Sequence, residues 1–346
     1  MNVSTRETLG IRRDPVIPVI DLGPCLAGTP GALESTALAL RGALADIGFF
    51  ILINHGVPQA LIDQTFEEAS RFHDQPPDAK LAVRMNEHNN GYMLMGRYAV
   101  WTSEVNDNNK PDLNEAFFCK RERSPDDPLL ASGRRFAGPN RWPPDLPGFR
   151  EHVLAYTDAM DTLTRRVLPV CAVALDLPLD AFDRAFAESQ FSFRLTHYPP
   201  LRAEANQFGI APHTDANFLT FLAQTDVPGL QVRTLAGGWT DVPHVPGSYA
   251  VNSGDMMYRW TNGRVKSTPH RALSPVGRHR YAIPFFLGPH IDTVIECLPT
   301  CQSPDNPPRF PPITYGDYLT WWYDANYNAS LQNDERPAGG EPNPAA

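Results

Sequence analysis

His213-Thr214-Asp215, answered by His270 in Ser267-Thr268-Pro269-His270-Arg271, sets two imidazoles and one carboxylate at a spacing that chemistry can use. On an extended segment residues two apart point the same way, so His213 and Asp215 can converge on one point. A third ligand must then arrive from a neighbouring strand, and His270 lies among strand formers and turn residues that can supply it. Two imidazoles and a carboxylate on one face of an ion suit Fe(II) and leave coordination positions open. The bare pattern is weak evidence, because the chain carries 10 histidines and chance matches come easily.

Arg280 stands near the start of Arg278-His279-Arg280-Tyr281-Ala282-Ile283-Pro284-Phe285-Phe286, which reads as an apolar strand with a cation at its head. Two readings are open from position alone. It pairs with a surface acid, or it anchors a carboxylate, since a guanidinium stays charged and binds carboxylates bidentately. Tyr198 ends the alternating run Phe193-Arg194-Leu195-Thr196-His197-Tyr198 before Pro199-Pro200. Its phenol either offers a hydrogen bond at the strand end or is simply packed and capped. His197 and His279 neighbour these residues, and alternation turns them to the opposite face.

The elements that must position such a site can be read from periodicity. Residues 32–47, 58–73 and 147–177 carry helical patterns, the last interrupted by Pro169, which should kink or split it. Residues 48–53 form a buried strand ended by Asn54-His55-Gly56, where His55 reads as a turn histidine satisfied by backbone. From Phe191 short strands alternate with Pro/Gly turns at 191–198, 209–213, 218–224, 230–233, 239–241, 249–252, 257–259, 265–270 and 280–287. The fold class is therefore mainly β with flanking helices, built on packed antiparallel sheets of jelly-roll type. The stretch 86–145 is rich in Asn, Asp, Pro and Gly and reads as mostly irregular. Loops on a rigid scaffold carry specificity, so Tyr92, Met95, Tyr98, Trp101, Phe117 and Phe118 are candidates for an apolar substrate pocket, or for ordinary packing under a long loop. Arg194, Phe208 and Phe286, which flank the site-bearing strands, join that substrate-binding group.

Composition bounds the partners. The net charge of -9 argues against nucleic acid and against an anionic membrane surface. Five cysteines are too few and too scattered for a disulfide scaffold, and Cys297 with Cys301 lacks the second pair a zinc site needs. With no apolar leader or membrane-length run, a cytoplasmic enzyme is expected.

The same residues, taken in order, resemble a known family. Ile17-Pro18-Val19-Ile20-Asp21-Leu22, Gly48-Phe49-Phe50, Asn54-His55-Gly56-Val57, Lys110-Pro111-Asp112-Leu113-Asn114-Glu115, Asn140-Arg141-Trp142-Pro143 and Tyr198-Pro199-Pro200 precede the triplet. Gly229-Leu230-Gln231-Val232, Val251-Asn252-Ser253-Gly254-Asp255 and Thr268-Pro269-His270-Arg271 follow it. Each is weak singly, but the order is specific, and the chain resembles the isopenicillin N synthase-like branch of the Fe(II)/2-oxoglutarate-dependent oxygenases over about residues 15 to 330. The resemblance implies a double-stranded β-helix core. It implies Fe(II) on His213, Asp215 and His270, and the distal carboxylate of 2-oxoglutarate on Arg280 and Tyr198. It also implies O2 as co-reactant, ascorbate as an accessory reductant, and C–H oxidation, most simply hydroxylation, of a small organic substrate of apolar or aromatic character. The chain divides on this reading into a flexible N-terminus (1–14), an N-terminal α/β region (15–145), a helix plus double-stranded β-helix catalytic core (146–333) and a flexible tail (334–346), with the two central regions forming one compact unit.

One position departs from the pattern. The family carries Arg-x-Ser where this chain has Arg280-Tyr281-Ala282, so a hydroxyl beside the arginine is missing. A hydrogen bond to a charged group is worth about 1.5–3 kcal/mol. The departure keeps open an oxidase that needs no 2-oxoglutarate and an ethylene-forming activity. Outside the family, a zinc hydrolase lacks a motif-placed general base, and a non-catalytic metal-binding barrel would not need Arg280 and Tyr198.

Overall fold

Runs of aromatic and β-branched residues bounded by Gly, Pro and Asn produce the strands. The computed structural model describes residues 17–328, so the segments 1–14 and 334–346 lie outside the described residues. In chain order the strands are β1 (Val19–Asp21), β2 (Phe49–Ile53), β3 (Gly91–Met93), β4 (Glu115–Lys120), β5 (Gln190–Tyr198) and β6 (Ile210–His213). They continue as β7 (Leu219–Gln224), β8 (Leu230–Arg233), β9 (Trp239–Asp241), β10 (Tyr249–Ser253), β11 (His270–Ala272) and β12 (Arg280–Gly288). A large sheet takes the order β1-β2-β10-β7-β12-β5-β4-β3, and a four-stranded sheet the order β6-β11-β8-β9. The two face each other as the expected double-stranded β-helix. Leu230 and Val232 of the small sheet pack on Phe49, Ile51 and Ala250 of the large one, and Ala272 packs with Tyr198 and Ala282.

Alternation sends the other face of the large sheet toward the helices Ala32–Asp46, Gln59–His73 and Phe149–Ala174. Phe72, Phe149, Phe193, Phe221 and Phe285 are buried there in one apolar cluster that runs from Ile20 to Tyr323. Each such ring contributes about 1.5–3 kcal/mol through burial. No helix among the described residues is long and apolar enough to cross a membrane. All five cysteines are free thiols.

Three expectations need correction. The helix Phe149–Ala174 runs through Pro169 as one element. The proline forfeits a hydrogen bond, but Val167, Leu168, Val170, Cys171 and Ala172 around it are all buried, and that packing holds the helix together. Residues 257–259 lie in a helix, Asp255–Trp260, not a strand, with Met256, Met257 and Trp260 buried at helical spacing. Over three residues the two periods cannot be told apart. The strand expected at 265–270 begins only at His270, because the Val265 and Lys266 amides donate to Thr261 Oγ1 and the Leu44 carbonyl and Pro269 has no amide to donate. The stretch 86–145 is mostly irregular, as expected, and its longest regular element is β4, every residue of which is buried.

Charged ends disguise β4. Glu115 and Lys120 look like surface residues, yet both are buried. Glu115 faces outward from the sheet toward the helices. Its Oε2 accepts from Lys80 Nζ at 2.9 Å and from the Tyr92 hydroxyl, and its Oε1 lies 2.8 Å from His197 Nδ1 and 3.5 Å from His73 Nδ1. This network ties the end of helix Gln59–His73 and the short helix Pro77–Ala82 to β4 and β5. Burial by itself would raise the Glu115 pKa, but the hydrogen bond from His197, the nearby His73 ring and the Tyr92 hydroxyl hold it well below the usual carboxylate range.

Removing this anion leaves Lys80 buried and unpaired, so Glu115→Gln should lower stability by about 3–5 kcal/mol in urea unfolding at pH 7. A carboxylate whose folded pKa is depressed stabilises above its unfolded pKa and loses that contribution as pH falls. The gap between wild type and variant should therefore narrow below about pH 4.3; a gap that widens there would contradict the network.

Candidate metal centre

His213 is the last residue of β6, and His270 is the first of β11, directly opposite it in the small sheet. Cross-strand pairing thus brings the two imidazoles together, with ring centroids 4.3 Å apart. His213 Nδ1 donates to the Ala211 carbonyl at 2.8 Å, and His270 Nδ1 donates to the Thr268 carbonyl at 3.2 Å. A carbonyl only accepts, so each Nδ1 carries a proton and each Nε2 is the nitrogen turned toward Asp215.

Asp215 follows β6 in the turn toward β7 and is buried. Its Oδ2 accepts from Thr220 Oγ1 of β7 at 2.6 Å and from Asn252 Nδ2 of β10 at 2.7 Å. Gly254 allows this turn to close, since a Cβ there would lie 2.2 Å from the Asn217 carbonyl oxygen and 2.7 Å from that of Asp215. Asp215 Oδ1 is 3.7 Å from His213 Nε2, and Oδ2 is 3.7 Å from His270 Nε2. Ligands about 2.1 Å from one ion and at right angles to each other lie roughly 3 Å apart, so the three groups fit a single ion.

Their protonation states also suit it. Burial, with the neighbouring His270, depresses His213 to about 3, which leaves the imidazole neutral. Burial would raise Asp215, but His270 and His213 together with the Asn252 and Thr220 hydrogen bonds hold it below its ordinary value. The neutral imidazole of His213, the imidazole of His270 and one carboxylate therefore face a common point, the donor set of an open non-haem Fe(II) site.

A second group, His73, Glu115 and His197, also brings ligand atoms together. Its charge argues against an ion. Lys80 already neutralises Glu115, so a divalent cation there would leave an excess of buried positive charge.

Two cavities meet at the His213–Asp215 pair. One, about 600 Å³, lies between the sheets and reaches from the triad to Tyr198, Arg280 and Ala282. Three guanidiniums, Arg194, Arg271 and Arg280, line it against one carboxylate, Asp215, so an anionic ligand is favoured. Arg280 is buried over the Tyr198 ring, 4.7 Å from its centroid, and its Nε and Nη1 have no partner among the described residues. A buried guanidinium with unused N–H groups is costly unless a ligand fills the place. Gly229 leaves room for it, as a Cβ there would sit 3.3 Å from Arg280 Cδ and Nε.

The other cavity, about 840 Å³, has mainly apolar walls. Of the residues expected there, Tyr98, Arg194 and Phe286 line it. Arg194 is held between the Phe118 and Phe286 rings, at 4.4 and 4.5 Å, with Phe118 behind it rather than at the wall. The others need correction. Tyr92 is turned to Glu115, and Phe117 packs in the core against Phe72, Trp142 and Phe149. Phe208 lies under Arg271, and Met95 and Trp101 are half-buried away from the wall. Alternation along β3 and β4 decides Tyr92 and Phe117: their neighbours Met93 and Phe118 take the cavity side.

Sequence reasoning missed Met93, Phe136 and Phe191, and also Tyr315, Leu319, Trp322 and Tyr323 from the helix Tyr315–Tyr323. That helix announces itself, because Thr314 caps the amide of Asp317 and the four wall residues recur at helical spacing. Thr220 and Asn252 were missed as the hydrogen-bond donors that orient Asp215. His197 and His279 do turn outward and bond each other at 2.7 Å, and His55 is held by the Gly247 carbonyl at 3.1 Å.

Comparison with known proteins agrees with this geometry. The sequence profile of the 2OG-Fe(II) oxygenase superfamily matches residues 189–289, and that of the N-terminal region of non-haem dioxygenases in morphine synthesis matches residues 17–145. The chain is 35% identical to the 2-oxoglutarate-Fe(II) type oxidoreductase hxnY of Emericella nidulans, over 90% of this chain and 90% of that protein. It is 34% identical to the kihadalactone A synthase LFS of Citrus sinensis, over 88% of this chain and 91% of that protein. Among solved structures, a full-length Neurospora crassa protein in complex with alpha-KG and thymine superposes with a TM-score of 0.78 at 27% identity, covering 89% of this chain and 96% of that one.

Groups that orient a ligand typically change metal affinity 10- to 100-fold when removed. Asn252→Ala should therefore weaken Fe(II) binding by roughly that factor in anaerobic competition with a chelator, while Asp215→Ala should abolish stoichiometric binding. An unchanged affinity in Asn252→Ala would remove its orienting role.

Proposed function

The chain belongs to the 2OG-Fe(II) oxygenase superfamily and is a 2-oxoglutarate-dependent Fe(II) oxygenase, and we propose that His213, Asp215 and His270 hold its iron while Arg280 and Tyr198 take the distal carboxylate of 2-oxoglutarate. The observation that carries this reading is the cavity shared by the triad and the unsatisfied N–H groups of Arg280. When bound, Fe(II) supplies O2 activation, coupling decarboxylation of 2-oxoglutarate to succinate and CO2 with oxidation of a substrate C–H bond, most simply hydroxylation.

The protein's own part is positioning and exclusion of water. His213 and His270 keep their Nδ1 protons on backbone carbonyls and so cannot rotate away. Thr220 and Asn252 hold Oδ2 of Asp215, which lies beside His270, and leave Oδ1 free beside His213. Arg280 fixes the far end of the cosubstrate, so that its 2-oxo acid end is directed toward the triad. This supports 2-oxoglutarate dependence over an oxidase without it, since such an oxidase leaves Arg280 without a partner.

The substrate reads as a small molecule of apolar or aromatic character. The walls formed by Phe136, Phe191, Phe286, Trp322 and Tyr323 support this, with Arg194 and Lys120 as the basic residues among them. The Neurospora crassa protein was solved with thymine, a planar ring of the kind such walls would stack against. Regions 15–145 and 146–333 act as one unit on this reading, because β3 and β4 of the first extend the large sheet of the second. A cytoplasmic setting is supported by the five free thiols.

Truncating one partner of a buried charge pair costs about 2–5 kcal/mol. Arg280→Ala should accordingly raise the 2-oxoglutarate Kd roughly 30-fold or more in anaerobic calorimetry on Fe(II)-loaded protein. An unchanged Kd would overturn the assignment of the carboxylate to Arg280.

A further inference from the structure

Ala282 faces the inter-sheet cavity, two residues beyond Arg280 on β12 and on the same face. A hydroxyl is absent from this position, but the residue across the strand pair supplies one. In the antiparallel pairing of β12 with β5, Arg280 stands opposite Tyr198 and Ala282 stands opposite Thr196. Side chains directly opposite each other share a face, with Cβ atoms about 4.5–5.5 Å apart. We infer that Thr196 donates its hydroxyl to the distal carboxylate of 2-oxoglutarate in place of a side chain at 282. This rests on the assignment of that carboxylate to Arg280 in the preceding section.

Five observations support the inference. Thr196 is buried and lines the same cavity as Arg280, Tyr198 and Ala282. Alternation fixes its direction, because the next residue, His197, is held on the opposite face by Glu115. Its hydroxyl makes no hydrogen bond to another side chain or carbonyl among the described residues, so it is available to a ligand. The other aliphatic hydroxyl of the cavity, Thr220, is committed to Asp215. Gln224, which pairs with Ala282 from the other side, is turned to the Pro243 carbonyl at 3.4 Å. A small residue at 282 and a hydroxyl at 196 are thus two halves of one arrangement, with the hydroxyl moved across a single pair of strands.

The test is a double-mutant cycle read by anaerobic calorimetry of 2-oxoglutarate binding to the Fe(II)-loaded full chain. Thr196→Val should raise the Kd roughly 10- to 100-fold, as expected for losing a hydrogen bond to a charged group. Thr196→Ser should stay near wild type. Ala282→Ser should have little effect alone, yet restore most of the affinity in the Thr196→Val background, a non-additivity that a merely structural role for Thr196 would not produce. The effect should vanish when 2-oxobutanoate, which lacks the distal carboxylate, is the probe. Unchanged Kd in Thr196→Val, or a loss of equal size for 2-oxobutanoate, overturns the inference. Thr196→Ala serves as the second variant if the valine chain does not fold, with the same expected loss and the same restoration by Ala282→Ser. Arg280→Ala separates the two levels. If it weakens binding while Thr196→Val does not, only the threonine inference fails; if neither does, the underlying carboxylate assignment fails.

Discussion

The fold depends on one buried carboxylate held from two sides. Asp215 follows a strand of the small sheet, and its Oδ2 accepts hydrogen bonds from Thr220 and Asn252, both on the large sheet. The contact therefore joins the sheets at the point where chemistry is to occur. A carboxylate this deeply buried is costly without partners. Two donors and two adjacent imidazoles supply that compensation, and an ion at the centre would complete it. What makes the aspartate tolerable in the core is the same arrangement that would let it serve as a ligand.

Strand alternation then divides the work of the large sheet. Along β5, Arg194, Thr196 and Tyr198 face the cavity, while His197 between them faces the helices and joins Glu115, Lys80 and Tyr92. One strand thus carries a cavity-facing row and an anchoring row. A shift of one residue in register would exchange them. The outward ionic network, although it contains two histidines and a glutamate, is electrically closed by Lys80 and serves packing. The inward triad lies in a cavity rich in guanidiniums and is electrically open to an anion.

Much of this was legible in the sequence, for identifiable reasons. The triplet at 213–215 and His270 stood out by residue type and spacing, but the bare pattern was weak and the ordered matches on both sides carried it; Asp215 itself lies just past the strand, in the turn toward β7. Arg280 stood out because a cation at the head of an apolar strand has few explanations. Elements were misread where local and tertiary signals disagree: Pro169 sits inside a helix held by its packing, and β4 is flanked by charges that are buried rather than exposed. Substrate-side residues were the least legible. Tyr92 and Phe117 look like wall residues by type, but a one-residue alternation sends them into the core and brings Met93 to the cavity. The aromatic helix at 315–323 reaches the pocket from far along the chain, and nothing local in its periodicity tells which cavity it will close. Thr196 illustrates the same limit, because its relation to Ala282 exists only through the strand register.

The most direct measurement is the crystal structure of the anaerobic Fe(II)–2-oxoglutarate complex, with anomalous scattering at the iron edge. The account predicts one strong peak about 2.0–2.2 Å from His213 Nε2, Asp215 Oδ1 and His270 Nε2, with the distal carboxylate of the cosubstrate against Arg280. An anomalous peak among His73, Glu115 and His197, or a cosubstrate whose distal carboxylate lies away from Arg280, would contradict it.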